Sequence, residues 1–313
     1  MVTQHTIDTP YPVGPVHCYT LEQGEGLILF DTGPPTPEAK EYLRQHVDMR
    51  RLRHVLITHC HIDHYGLAHW LEQESDAIIY LPHRDGLKIA RHERRMELMS
   101  ALLREVGFSQ DYLDGIERIF ATGVLFPPSP KKFRIAETDL PVELGITTLP
   151  CPGHSQSDVV YTFDTYAVTG DTLLRGIFQS PLLDVDLLTG ERFNNYHAYC
   201  ESIVKLAGLE GKTVLPGHRQ NIDSVSSSLQ FYIGKMLTRV EQMLPVKNEN
   251  NVARLIDKLF NNSMNDVFHM YLKASEILFM KDFLAEPEKL EEALAGIGLY
   301  ANVAPLFRRV TGR

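Results

Sequence analysis

Four metal-ligating side chains crowd into six positions of the segment Thr58-His59-Cys60-His61-Ile62-Asp63-His64. In a helix, His59 and His61 would diverge by about 200° and could not share an ion. In extended chain, residues two apart point to one side. An extended run that turns immediately afterwards aims His59 and His61 at one point and carries Asp63 and His64 to an adjacent one. Imidazole with carboxylate suits zinc, with manganese or iron as alternatives. Cys60 alternates to the opposite side and reads as a small packing residue. A single His-x-His is common by chance, but this density directly after the apolar run Val55-Leu56-Ile57-Thr58 is not.

The elements around the motif read as an α/β protein. Val16–Leu21 and Leu27–Phe30 read as strands joined through Gly24-Glu25-Gly26. Asp31, at the end of the second, is either a turn cap or a partner for a metal histidine. A helix is expected over 37–48, with Ala39, Tyr42, Leu43 and Val47 as its apolar stripe. Gly66 reads as freedom to turn after the motif, followed by a helix near 67–74 and a strand at Ala77–Leu81. Short strands return from about 133 onward, and three Gly-containing loops at strand ends each offer one further ligand: His154, Asp171 and His218. Residues 1–222 therefore read as one catalytic domain. Within it, 84–122 forms a helical insertion that either walls the site or packs on the outer surface. Residues 223–313 read as a helical domain, with apolar residues at helical spacing from Val225 to Leu244 and no strand-like stretch until Leu299-Tyr300.

A hydrophobic content of 43% and a charged content of 23% are ordinary for a globular protein. The net charge of −9 argues against nucleic acid as the main partner, because phosphate binding calls for a basic face. Arg91, Arg94, Arg95 and Arg104 form a local basic cluster that a solvated helix face explains equally well. No apolar stretch is long enough to span a membrane. The N-terminal residues lack the basic-then-apolar pattern of a signal peptide, and Cys18, Cys60, Cys151 and Cys200 are too scattered to form C-x-x-C. A cytoplasmic protein with reduced thiols is expected.

The series H-x-H-x-D-H, Gly-His, Gly-Asp, Gly-His resembles the metallo-β-lactamase superfamily across roughly residues 10–220. The resemblance implies an αββα sandwich, two sheets face to face with helices outside. It implies that His59, His61 and His154 hold one metal, that Asp63, His64 and His218 hold a second, and that Asp171 bridges both. Two zinc ions, or manganese or iron, would then share a hydroxide nucleophile, with Asp63 also accepting or directing its proton. Asp31 would buttress a ligand histidine. The oxygen-reducing diiron branch carries glutamate where this chain has His61, which argues against that branch.

For the substrate, Asp171-Thr172-Leu173-Leu174 is similar to the corresponding loop of glyoxalase II and its relatives, implying a small acyl ester or thioester. Tyr65-Gly66-Leu67 replaces the usual Gly-Gly, and no basic glutathione-binding pattern is evident, so glutathione thioesters are not expected. The first alternative is a phosphodiesterase or endoribonuclease, because the tail with Phe307-Arg308-Arg309 is similar to winged-helix-like tails of β-lactamase-like endoribonucleases. The second is a non-catalytic metal-binding protein, which the complete ligand set argues against.

Overall fold

A computed structural model describes residues 1–121, 126–260 and 266–313. Two sheets form its middle layers. The first runs β1 (Val2–Ile7), β2 (Val16–Gln23), β3 (Gly26–Phe30), β4 (Leu52–Leu56), β5 (Ile78–Leu81) and β6 (Arg134–Ile135) in that spatial order. The second comprises β7 (Thr147–Pro150), β8 (Val159–Phe163), β9 (Tyr166–Gly170) and β10 (Thr213–Pro216), in the order β10-β9-β8-β7. The β2–β3 turn is tight because Gln23 pairs with Gly26 and Gly24 adopts a φ of +58°.

Alternation along the strands shows how the layers stack. Ile28, Phe30, Leu56 and Tyr80 of the first sheet meet Val159, Tyr161, Phe163, Val168 and Leu215 of the second in one dry cluster. Their neighbours Leu27, Leu29 and Val55 point outward, where Ala39, Leu43, Trp70 and Leu71 cover them. Those covering residues lie on α1 (Pro37–His46) and α3 (Ala68–Glu74), which flank the single turn α2 (Ile62–Tyr65). On the other side Val160, Ala167 and Val214 point outward into a helical layer. This is the αββα sandwich. Its cause is the period of two, which gives each strand two apolar faces to bury.

The insertion folds as three helices, α4 (His83–Ala90), α5 (His92–Glu105) and α6 (Gln110–Ala121); residue 122 of the expected span lies outside the described residues. Met99, Leu102, Leu103, Leu113 and Ile116 are buried in the helical layer, so α5 and α6 are part of the core. After the short α7 (Ala136–Asp139), the layer is completed by α8 (Asn195–Ala207), α9 (Val225–Met243), α10 (Val252–Phe260), α11 (Val267–Ala285), α12 (Pro287–Gly296) and α13 (Tyr300–Thr311). The strand-like pair Leu299-Tyr300 is instead the entry to α13. Tyr300 packs its ring against Phe307 one helical face along, and that packing outweighs local β propensity. No strand occurs after Pro216 among the described residues. One apolar cluster runs from α5 and α6 through β8 and β9 to α13, without a break at residue 222. Phe279, Phe283 and Phe307 are fully buried within it, and truncating any one to alanine would cost about 3–5 kcal/mol.

Candidate metal centre

The motif loop begins where β4 ends. Ile57 still pairs with β5 through Tyr80 O, whereas Thr58 leaves the ladder and donates its backbone N–H to Asp31 Oδ1 at 2.8 Å. His61 is extended (φ −74°, ψ 151°), and α2 follows at once and lifts Asp63 and His64 beside it. Gly66 is needed for space rather than for freedom. Its backbone is ordinary helical (φ −55°), but a Cβ there would lie 2.3 Å from Ile62 O and 2.5 Å from Pro35 Cδ. Gly217 is constrained in the same way, since a Cβ would lie 2.6 Å from His64 Cε1 and 2.7 Å from Asp171 Oδ1.

All seven residues expected as ligands come together, in two halves. In the first, His61 Nδ1 lies 2.8 Å from His59 Nε2 and 3.0 Å from His154 Nε2. In the second, His218 Nε2 lies 3.4 Å from Asp63 Oδ2, while His64 Nε2 lies 4.0 Å from Asp63 Oδ1. Asp171 faces both halves. Its Oδ1 is 3.3 Å from His64 Nε2 and 3.6 Å from His218 Nε2, and its Oδ2 is 3.7 Å from His154 Nε2.

The far side of each ring fixes which nitrogen is free. Nδ1 of His154 donates to Ser180 O at 2.8 Å, and Nδ1 of His218 donates to Pro15 O at 2.7 Å. Nδ1 of His64 donates to Asp31 Oδ2 at 2.8 Å, the contact anticipated for that carboxylate. The Thr58 hydroxyl gives its proton to Asp31 Oδ2 at 2.8 Å, so its lone pair receives Nδ1–H of His59 at 3.1 Å. Four rings thus turn Nε2 inward, where it offers a lone pair once its proton is released.

The donors fit a bound cation. His64 Nε2, His218 Nε2 and Asp171 Oδ1 are buried, converge, and have no hydrogen-bond partner. Leaving such atoms unpaired is costly, and a shared cation satisfies all three. Ligands 2.0–2.1 Å from a tetrahedral ion lie about 3.3 Å apart, close to the separations of the second half. Each ligand triad has its donor atoms within 4.8 Å of one another: His59–His61–His154, His59–His64–Asp171 and Asp63–His64–His218.

Charge divides the halves. Burial, reinforced by His61 and His64, holds His59 well below the usual histidine range, and burial with His154 pushes His61 down to about 3. Burial alone would also lower His64, but the Asp171, Asp31 and Asp63 carboxylates outweigh it and raise it well above that range. His218 is raised in the same way, chiefly by Asp171 against its burial. In return His218 and His64 overcome burial to hold Asp171 well below the carboxylate range, and the same imidazoles lower Asp63.

Of the remaining histidines, His17 buttresses the site from outside, donating Nε2–H to Arg219 O at 2.7 Å beside His218. His69 and His197 make ordinary contacts with Glu72 and Glu286. Pro15, Thr58 and Ser180 are not legible as ring-orienting groups, because backbone carbonyls and a threonine carry no distinguishing sequence signal.

A family profile described as the metallo-beta-lactamase superfamily matches residues 11–218, more than half of the chain, and the chain belongs to that superfamily. It is 27% identical over 257 residues to the "probable metallo-hydrolase YqjP" of Bacillus subtilis, covering 78% of this chain and 79% of that one. It is 26% identical over 226 residues to the same organism's "probable metallo-hydrolase YqgX", covering 70% and 93%. A metallo-beta-lactamase family protein from Thermus thermophilus shares the fold, with a TM-score of 0.72 at 21% identity over 92% of this chain and 94% of that one. Site and family together define a metal-dependent hydrolase. No helix among the described residues is long and apolar enough to cross a membrane.

Proposed function

We propose that the chain hydrolyses a small acyl ester or thioester at a dinuclear zinc centre, held by His59, His61 and His154 on one side, Asp63, His64 and His218 on the other, and Asp171 between. The observation that carries the dinuclear reading is Asp171, whose two oxygens face different halves of the donor set. When bound, paired zinc ions supply a Lewis acid for the carbonyl oxygen and bring a water molecule's pKa toward neutrality; manganese or iron could do the same. Asp63 stays ionised at neutral pH, so it can orient that water and accept its proton. His59 and His61 stay neutral and hold the first position without competing protons.

The basic side chains support a small substrate over RNA. Arg95 forks onto Asp184 at 2.9 and 3.1 Å, Arg94 pairs with Glu97, and Arg91 bonds Leu187 O. In the tail Phe307 is core and Arg309 pairs with Glu241. Arg95 is thus committed elsewhere, and Arg94 and Arg309 sit beside acidic groups in a chain whose net charge is −9, which disfavours a phosphate backbone. The four cysteines are free, and three are buried, which suits a reducing cytoplasm. The test is a screen of zinc-reconstituted protein against acyl thioesters, lactones, bis-(p-nitrophenyl) phosphate and a short RNA. Turnover of acyl substrates in preference to both phosphodiesters is expected; the reverse preference would overturn the assignment. No turnover of any of them by fully metallated protein would favour the non-catalytic reading.

A further inference from the structure

Behind the three-histidine half lies a second buried polar cluster that the reaction does not use. Its centre is Asp85 on α4, only 1% exposed. Asp85 Oδ2 accepts the Cys60 backbone N–H at 2.7 Å. Asp85 Oδ1 accepts the Ser157 hydroxyl at 2.6 Å and lies 2.9 Å from Lys88 Nζ. Lys88 also reaches Ser157 Oγ at 3.0 Å and Asp184 Oδ2 at 3.3 Å, and Arg95 closes the cluster on Asp184. The loop after His154 is tied in by Asp158, which accepts both the backbone N–H and the hydroxyl of Ser155 at 2.7 Å.

We propose that Asp85 is a positioning residue for the three-histidine metal position, one carboxylate clamping together the two loops that supply its ligands. Cys60 sits between His59 and His61, so fixing its N–H fixes the backbone from which both rings project. Ser157 is three residues past His154, in the same tight turn. The cluster's contribution to stability does not explain its presence, because replacing a buried ion group with apolar residues is often neutral or stabilising. Its geometry does, since two of the Asp85 bonds end on ligand-bearing loops. Asp31 does the equivalent for the other half, holding His64 through its ring nitrogen and the start of the motif through Thr58. The insertion is thereby tied to the metal centre through its first helix.

The inference rests on the metal reading above, and equilibrium zinc titration of the full chain against a competing chelator separates the two. Wild-type protein that bound no zinc would defeat the metal reading. If it binds two ions, His218→Ala identifies which step belongs to the mixed half. Asp85→Asn keeps the shape but presents one acceptor where the carboxylate presents two. It should weaken the three-histidine step about 10- to 100-fold, the scale of losing a ligand-orienting group, and leave the mixed step within threefold. Ser157→Ala keeps the Cys60 contact and should weaken the same step by less. Melting of the metal-free variants checks that they fold. Unchanged affinity in folded Asp85→Asn, or equal weakening of both steps, would overturn the proposal. If Asp85→Asn does not fold, Ser157→Ala decides alone, and an unchanged three-histidine step would overturn it.

Discussion

The two halves of the donor set sit a few ångströms apart, yet they handle protons in opposite ways. In the three-histidine half His59 and His61 are forced neutral, and His59 and His154 are oriented by a hydroxyl and a backbone carbonyl. The mixed half is a charge lattice, with three carboxylates around His64 and His218. Before metal binds, protons on those imidazoles stand in for the cation. One half is therefore ready for an ion at neutral pH, and the other must first release protons.

The sharpest way to break that comparison is to remove the residue common to both halves. On the dinuclear reading proposed above, Asp171→Ala should bring metal content from about two ions per chain to one or fewer, and lower kcat by about 10³-fold through lost charge stabilisation. Elemental analysis and kinetics on the same sample check it, and two ions retained would mean that Asp171 is not shared. Asp63→Asn acts on the mixed half alone. It should lower kcat about 100-fold, the scale of losing a general base, with the three-histidine ion retained. Comparable turnover at equal metal loading would reduce Asp63 to a ligand.

A third outcome concerns pH. Since the His64 and His218 pKa values are raised above the unfolded value, their protons stabilise the metal-free fold below about 6.5, and that stability is lost as pH rises through the folded values. Metal must displace the same protons, so affinity at the mixed half should fall as pH drops below the folded values, by about tenfold per pH unit for each proton displaced. The two lowered histidines of the other half impose no such penalty near neutrality. Zinc titrations at several pH values, run in buffers of different ionisation enthalpy to count released protons, read this directly. Equal pH slopes at both halves would erase the distinction. The smallest effect is expected from Thr58→Val, which removes the hydroxyl joining Asp31 to His59. About 1–3 kcal/mol of stability should be lost, as for any buried donor left unpaired, with modest weakening at the three-histidine half. A change confined to the mixed half would show that the hydroxyl does not serve His59.

The seven residues that converge are legible in the sequence because their chemistry is local. Two histidines at period two before a turn can be read without a fold, and a Gly-His at a strand end repeats the signal. Asp31 is legible because a carboxylate closing a strand beside the motif strand has few other places to point. Asp85 is not, because on an amphipathic helix it is indistinguishable from a solvated charge until tertiary packing buries it against Cys60 and Ser157. The place of Gly66 is legible but its physical reason is not, since nothing in the chain announces that Pro35 will lie against it. The unbroken helical core is hidden for a similar cause: helical periodicity tells which face is apolar, but not which neighbour covers it.

His218 also constrains the order in which the molecule can be made. Its ring is held by Pro15 O, 203 residues earlier, and its backbone bridges Val16 at the start of β2. The earlier strands therefore cannot complete the donor cluster until His218 has left the ribosome. At typical synthesis rates of about 5–20 residues per second, that interval is roughly 10–40 s. Throughout it the six-stranded sheet can begin to form, while His59, His61, Asp63 and His64 await partners from the other sheet. Pairings of such long range close slowly. A nascent chain stalled before residue 218 would thus hold an incomplete donor cluster.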